Sequence, residues 1–371
     1  MRDSQILISK SNVIDNYNII KKHANNMEIA PVIKANAYGH GANLLSGIYQ
    51  ELNCRMVIVA YLEEAIEIRN SGYTNDIMLL TPPLNYDIKD IINCNLETTI
   101  AEEETAFLLN EHAKALNKTV KVHIFLNSGM NREGKRPEDI LKFTKYLSTL
   151  KYLKIEGLIS HFAASDVVDN MFNTYQINQF KKSLFLLKSN GFNIPKIHIH
   201  NSSSLFNYPD SEEQTVFNLY RAGITSYGLL SNSTLAESVG LKPVLTLKSN
   251  VHHMIEIRKG ETCGYNFNFH ANSDGYLAII PIGYADGLSR NLSNKMRVII
   301  NDKYYKVAGY ISMDLIIIDV GVDPVKLGDE VIFIGKSNSK EITVYELAEY
   351  QGTIPYEITT SLSHRLPRIL V

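Results

Sequence analysis

Cysteine is scarce in this 371-residue chain, and the three present, Cys54, Cys94 and Cys263, are odd in number and far apart. That pattern excludes a disulfide framework and a CxxC metal site, and it fits a reducing compartment. Long apolar runs are missing too: none approaches the ~18 residues of a membrane span, and the opening MRDSQILISKSN has no apolar signal core. Charge of one sign never accumulates. The 37 basic and 39 acidic residues are interspersed and leave a net charge of -2, which speaks against nucleic acid, a polybasic membrane patch or an acidic tail. No GxGxxG or GxxxxGK(S/T) follows an apolar run, and no repeat recurs at a solenoid period. The expectation is a cytoplasmic protein that acts on small solutes.

What is present is an alternation. Short Val/Ile/Leu runs are followed by helical patterns: EIAPVIKA then GANLLSGIYQEL, RMVIVA then YLEEAIEIRNSG, DIMLLT then NYDIKDIINC, LETTI then EEETAFLLNEHAKALN. VKVHIFLN, KIEGLISHF, KIHIHNSS with a short helical SSLFNYP, and LYRAGITSYGL extend the series to eight units. Continuous apolar runs suit strands buried on both faces, and each parallel crossover needs a helix. An eight-stranded parallel α/β barrel is the economical closure, with an open doubly wound sheet as the alternative. From about Leu241 strand-like segments split by Gly, Asn and Asp turns take over, with one helix in TVYELAEYQ. The expected domains are therefore a barrel over 1–235 and a mostly antiparallel β domain over 236–371.

A barrel builds its active site at the C-terminal ends of its strands. The polar residues there are Lys34 and Tyr38 after the first strand, Arg132 after the fifth, His161 after the sixth, Asn201 and Ser202 after the seventh, and Arg221 with Gly223 on the eighth. Hydroxyls and backbone N–H groups after the last two strands commonly hold a phosphate. A desolvated lysine beside such a site suggests a Schiff base, and pyridoxal 5'-phosphate carries both the carbonyl and the phosphate. Each residue alone admits a plainer role. Lys34 fits a snorkelling strand-end lysine, His161 a hydrogen-bonded core histidine, Arg221 an ion-pair partner, and His198 with His200 the start of a metal site that lacks further ligands.

Taken in order, VIKANAYGHG, VAYLEEAIEIR, NSGMNREG, ISHFAASD, HNSSS, RAGITSYG, CGYNF, IGYADGLSR, SMD and TIPYEITTSLSHRLPR resemble the alanine racemases over nearly the whole chain. The resemblance implies a pyridoxal-phosphate enzyme of barrel plus β domain, in which Lys34 holds the cofactor and acts as one base. Tyr38, Ser202, the backbone of Gly223 and Ile224, and Tyr356 would grip the phosphate. Arg221 would face the pyridine nitrogen, with His161 linking it toward the second base, Tyr265, which reaches in from the other subunit of a head-to-tail homodimer. Arg132 and the backbone N–H of Met313 would meet the substrate carboxylate, and Tyr284 would shape the entrance. The implied role is D-alanine supply for peptidoglycan.

The chemistry accounts for these residue types. Racemisation removes the Cα proton on one face and returns one on the other, so two bases are needed. A tyrosine ordinarily titrates near ~10, so it needs a hydrogen-bonded cationic network, here expected from His161 and Arg221. One position departs from the family: Phe125 stands where a carbamylated lysine commonly orients the arginine, which leaves Asn127 or a bound anion to hold Arg132 and keeps serine or a larger or basic amino acid open as substrate. A decarboxylase would favour an acidic group where this chain has Arg221, and a non-catalytic cofactor carrier would lack CGYNF.

Overall fold

The computed structural model describes residues 3–167, 170–207 and 216–371. The chain divides into two compact units. One comprises Ile14–Ala37 and Ala42–Lys242; the other joins the segment up to Val13 and Tyr38–Gly41 to Pro243–Val371.

Strand β1 (Gln5–Ile8) opens the chain, followed by β2 (Glu28–Pro31), β3 (Met56–Val59), β4 (Asp76–Leu79), β5 (Glu97–Ile100), β6 (Val120–Phe125), β7 (Leu153–Ile159), β8 (Lys196–His198) and β9 (Leu219–Ala222). From β3 to β8 the strands pair parallel in chain order, and β2 pairs parallel with β9. Val32 bridges Ile58 in parallel, and Asn218 N–H donates to Ile197 O at 3.1 Å. The sheet is thus curled, and its order lacks the reversal of a doubly wound sheet. Helices fill the crossovers, and each buries a stripe; Leu62–Asn70 turns Leu62, Ala65 and Ile68 inward. With both faces covered, β3, β5 and β9 are buried at every position; β3, MVIV, accordingly reads as an apolar run, whereas β5 and β9 bury Glu97 and Arg221 as well. The helical SSLFNYP is seen as Ser202–Asn207; its Tyr208 and Pro209 lie outside the described residues.

Among the described residues, the other unit is built on a ten-stranded, mostly antiparallel sheet, with a separate two-stranded antiparallel ribbon pairing Thr262–Cys263 with Phe269–His270. Its strands include β10 (Leu245–Asn250), and the sheet ends on Arg368–Leu370. β1 lies between these two, antiparallel to β10 and parallel to Arg368–Leu370. The sequence boundaries of 1–235 and 236–371 differ from the compact units here, because Ile6 and Ile8, fully buried, face inward from this sheet. A second helix, Pro355–Thr360, follows the expected Val344–Gln351.

Candidate active site

Lys34 follows β2 at partial burial, and the backbone behind it is unusual. Ala35, Asn36, Ala37 and Tyr38 all have φ between 51° and 54°, a left-handed turn made without glycine. Each such non-glycine residue costs roughly 1–2 kcal/mol, so the turn must be held from outside. Glu64 does so: one carboxylate oxygen accepts from Ala35 N–H at 2.5 Å, the other from Ala60 and Tyr61 N–H at 2.8 and 3.2 Å. Asn36 Oδ1 accepts from Ala42 N–H at 2.8 Å. The Lys34 ammonium is destabilised by burial first and then by the charge of Arg132, which lowers its pKa against the opposing pull of Glu64. A lysine so placed is easier to deprotonate than a surface one.

Arg221, only 3% exposed, points its guanidinium at named acceptors. Nη1 donates to His198 Nδ1 at 3.0 Å; Nη2 donates to Ser160 O at 2.8 Å, His161 Nδ1 at 3.0 Å and Ile199 O at 3.1 Å. Burial and then the Arg221 charge hold His161 well below the usual imidazole range. His161 is therefore neutral, and the cationic network expected from the sequence carries its charge on the arginine. Gln176, which the motifs did not mark, fixes the loop after β7 by accepting from Ala163 N–H at 2.9 Å and donating to His161 O at 2.9 Å.

His198 and His200 serve packing and hydrogen bonds. Both ring nitrogens of His198 are engaged, by Arg221 and by His123, and His200 Nδ1 lies 3.0 Å from Ser204 Oγ. Burial, then Arg221, pushes His200 down to about 3.

Ser202 is buried with two hydroxyl neighbours that sequence reading missed. Its Oγ lies 3.4 Å from Thr225 Oγ1 and accepts from Thr225 N–H at 3.4 Å, while Tyr220 Oη reaches Thr225 Oγ1 at 3.3 Å. Gly223 and Ile224 lead into the single turn Ile224–Tyr227, buried throughout.

Arg132 is half exposed and sits 4.0 Å from Glu133 Oε2. Phe125 is buried beneath its loop: Lys135 N–H donates to Phe125 O at 2.8 Å, and a Cβ on Gly134 would collide with the Phe125 ring. Asn127 works on the loop itself, accepting from Gly129 and Asn131 N–H at 3.1 and 3.0 Å and donating to Asn131 Oδ1 at 3.0 Å.

In the β-rich unit, the Tyr38 and Tyr356 rings are 6.0 Å apart. Gly39 is required there, since a Cβ would strike the Thr359 carbonyl. His40 Nδ1 meets Tyr38 O at 3.0 Å, a local bond. Tyr284 and Met313 are brought together by backbone: Tyr284 N–H donates to Ser312 O and Ala285 N–H to Met313 O, each at 3.0 Å. Arg365 braces this pair, bonding Asp314 at 2.6 Å and Asp286 at 3.4 Å. Tyr265 begins a short turn, Tyr265–Phe267, next to Cys263, whose Sγ reaches Ala308 O at 4.0 Å. Tyr265 is 64% exposed and Met313 53%.

The family described as "Alanine racemase, N-terminal domain" matches residues 8–231, and "Alanine racemase, C-terminal domain" matches 244–370. The alanine racemase of Clostridium novyi is 36% identical over 370 residues, covering 98% of this chain and 94% of that protein. Among solved structures, the alanine racemase of D-cycloserine-producing Streptomyces lavendulae superposes with a TM-score of 0.94 at 27% identity, covering 100% and 97% of the two chains. A histidine racemase from Leuconostoc mesenteroides subsp. sake superposes at 0.91 with 28% identity, covering 100% and 98%. Two domain matches in order and a relative of full length place this chain in the alanine racemase family.

Proposed function

We propose that this protein is a pyridoxal 5'-phosphate-dependent racemase that interconverts L- and D-alanine. The observation that carries this reading is Lys34, an amine with a lowered pKa set beside Arg132 and Arg221 in a chain of this family. The donor set suits the cofactor: Lys34 for its carbonyl carbon, the Ser202 hydroxyl with the Gly223 and Ile224 backbone for its phosphate, and the neutral-acceptor-bound guanidinium of Arg221 for its ring nitrogen. By the family resemblance Tyr38 and Tyr356 would add their hydroxyls to the phosphate. When bound, the cofactor withdraws electrons from the substrate Cα and so acidifies its proton. Lys34 Nζ takes or returns that proton on one face, and Tyr265 Oη serves the other. The Arg221 guanidinium can donate a hydrogen bond to a ring nitrogen but holds its protons too tightly to transfer one, so the ring nitrogen would stay unprotonated, which restrains electron withdrawal and side reactions.

Arg132 and the Met313 N–H orient the substrate carboxylate, and Tyr284 narrows the approach. The exposure of Tyr265 and Met313 in a single chain supports a head-to-tail homodimer in which each copy completes its partner's site. The eight parallel strands are read as a closed barrel, supported by the β2–β9 pairing and the Val32–Ile58 bridge. D-Alanine formed in this way would supply peptidoglycan. A racemase of another amino acid is the second reading, favoured by Phe125 under the Arg132 loop and by the histidine racemase neighbour.

Chiral chromatography of several L-amino acids incubated with the purified protein in deuterium oxide tests the reading. Alanine should racemise with deuterium at Cα. Lys34→Ala should lose both turnover and the visible absorption of bound cofactor, whereas Tyr265→Phe should keep the colour and lose turnover. Unchanged turnover in Tyr265→Phe would overturn the two-base assignment.

A further inference from the structure

Behind Arg221 a chain of buried polar groups crosses the parallel-strand unit on three separate strands. Arg221 meets His198 Nδ1 at 3.0 Å, His198 Nε2 meets His123 Nδ1 at 2.9 Å, and His123 Nε2 meets Glu97 Oε2 at 2.8 Å. Both histidines are fully buried. Glu97 also accepts from Lys196 at 3.0 Å and Lys121 at 2.9 Å. Gly157 on β7 is what makes room: a Cβ there would overlap the His123 ring.

The geometry leaves one assignment of protons. A guanidinium only donates, so His198 Nδ1 accepts and its proton lies on Nε2. That proton is donated to His123 Nδ1, so the His123 proton lies on Nε2 and points at the ionised Glu97. The direction of every bond is fixed at both ends, by a permanent cation and by an anion. Burial, which comes first, and the Arg221 charge hold His198 neutral, and burial does the same for His123. Although burial opposes it, Glu97 is kept well below the usual carboxylate range by His123 and the two lysines.

We propose that Glu97, His123 and His198 are positioning residues that lock one tautomer chain through the strand core and thereby set the aim of the Arg221 guanidinium. This rests on the reading of Arg221 as the group facing the cofactor ring. None of the three touches substrate; they act through Arg221.

Nitrogen-15 NMR of the full-length protein labelled at histidine tests the chain directly. His123 and His198 should both be neutral Nε2–H tautomers across roughly pH 5 to 8, where a free imidazole titrates. A His198 proton on Nδ1, or an imidazolium at either site, would overturn the proposal. In the cofactor-loaded enzyme, Glu97→Leu should cut kcat by about tenfold or more, since misplacing a group by about 1 Å can cost ~100-fold, with KM little changed and the bound cofactor's absorption shifted. Glu97→Gln, whose amide oxygen still accepts from His123, should recover most of kcat. Wild-type kcat and absorption in a folded, loaded Glu97→Leu would refute the role. If the protein neither binds the cofactor nor racemises alanine, the functional reading fails, while the histidine spectra still decide whether the tautomer chain exists.

Discussion

Replacing Gly157 by alanine is a sensitive probe of how tightly the strand core is built. Gly157 lies within β7, and its φ is outside the left-handed region, so backbone strain does not enter. The new methyl would land on Nδ1, Cε1 and Cγ of His123, and that ring cannot yield freely because it is bonded to His198 at 2.9 Å and Glu97 at 2.8 Å. Overpacking a tight core costs about 1–3 kcal/mol, and losing a hydrogen bond to a charged group about 1.5–3 kcal/mol. The lower unfolded-state entropy of alanine offsets only about 0.4–1 kcal/mol. A net loss of roughly 2–5 kcal/mol follows from these terms. The assay is urea unfolding followed by far-ultraviolet circular dichroism, run as a double-mutant cycle with His123→Ala. With the ring gone the methyl has space, so the cost of Gly157→Ala should fall below about 1 kcal/mol in that background. Equal costs in both backgrounds, or a single-variant effect within about 0.5 kcal/mol, would refute the packing argument.

Other expectations concern titration and reactivity. The depressed pKa of Glu97 makes its stabilisation complete above the unfolded carboxylate value of about 4.3, and lost as pH falls toward the folded value. Acid unfolding of Glu97→Gln should therefore have a flatter acid limb than wild type and start from lower stability at neutral pH; parallel limbs would contradict this. The Cys54 thiol, pushed up to about 11 chiefly by burial, should react with a thiol reagent near neutral pH only after unfolding. Fast reaction in the folded protein, read by mass spectrometry of labelled peptides, would show that the site opens. Arg365→Leu releases the brace between Asp314 and Asp286, so it should raise KM for alanine more than it lowers kcat in steady-state assays.

The parallel strands were legible because burial on both faces leaves unbroken apolar runs, and the helices between them carry their own stripe. Lys34, His161 and Arg221 were legible as polar residues at strand ends. β1 was not, because QILI is only four residues long and its partners lie more than two hundred positions away. The left-handed turn gave no signal, since Ala35, Ala37 and Tyr38 are poor residues for positive φ and are held there by Glu64 from outside and by the side chain of Asn36 within the turn. Glu97 in LETTI looks like a surface strand residue, and His198 with His200 looks like a fragment of a metal site. Only the parallel register, which lays β5, β6, β7 and β8 side by side, reveals that Glu97, His123 and His198 form one line. Thr225, Gln176 and Arg365 were missed for the same reason: each acts by orienting a neighbour distant in sequence.

The placement of β1 between β10 and Arg368–Leu370 has a consequence for how the chain is made. A ribosome adding about 5–20 residues per second releases β1 on the order of ten to fifty seconds before β10, its first partner, is synthesised. During that interval the parallel units can assemble one after another from near neighbours, while Ile6 and Ile8 wait with their apolar faces unmatched. The antiparallel sheet is completed only when Arg368–Leu370 arrives. Late stalling or a nick near the C-terminus would therefore leave the parallel-strand unit largely folded and the antiparallel sheet with β1 as an unpaired edge, the kind of species that chaperones retain and that aggregates when they do not.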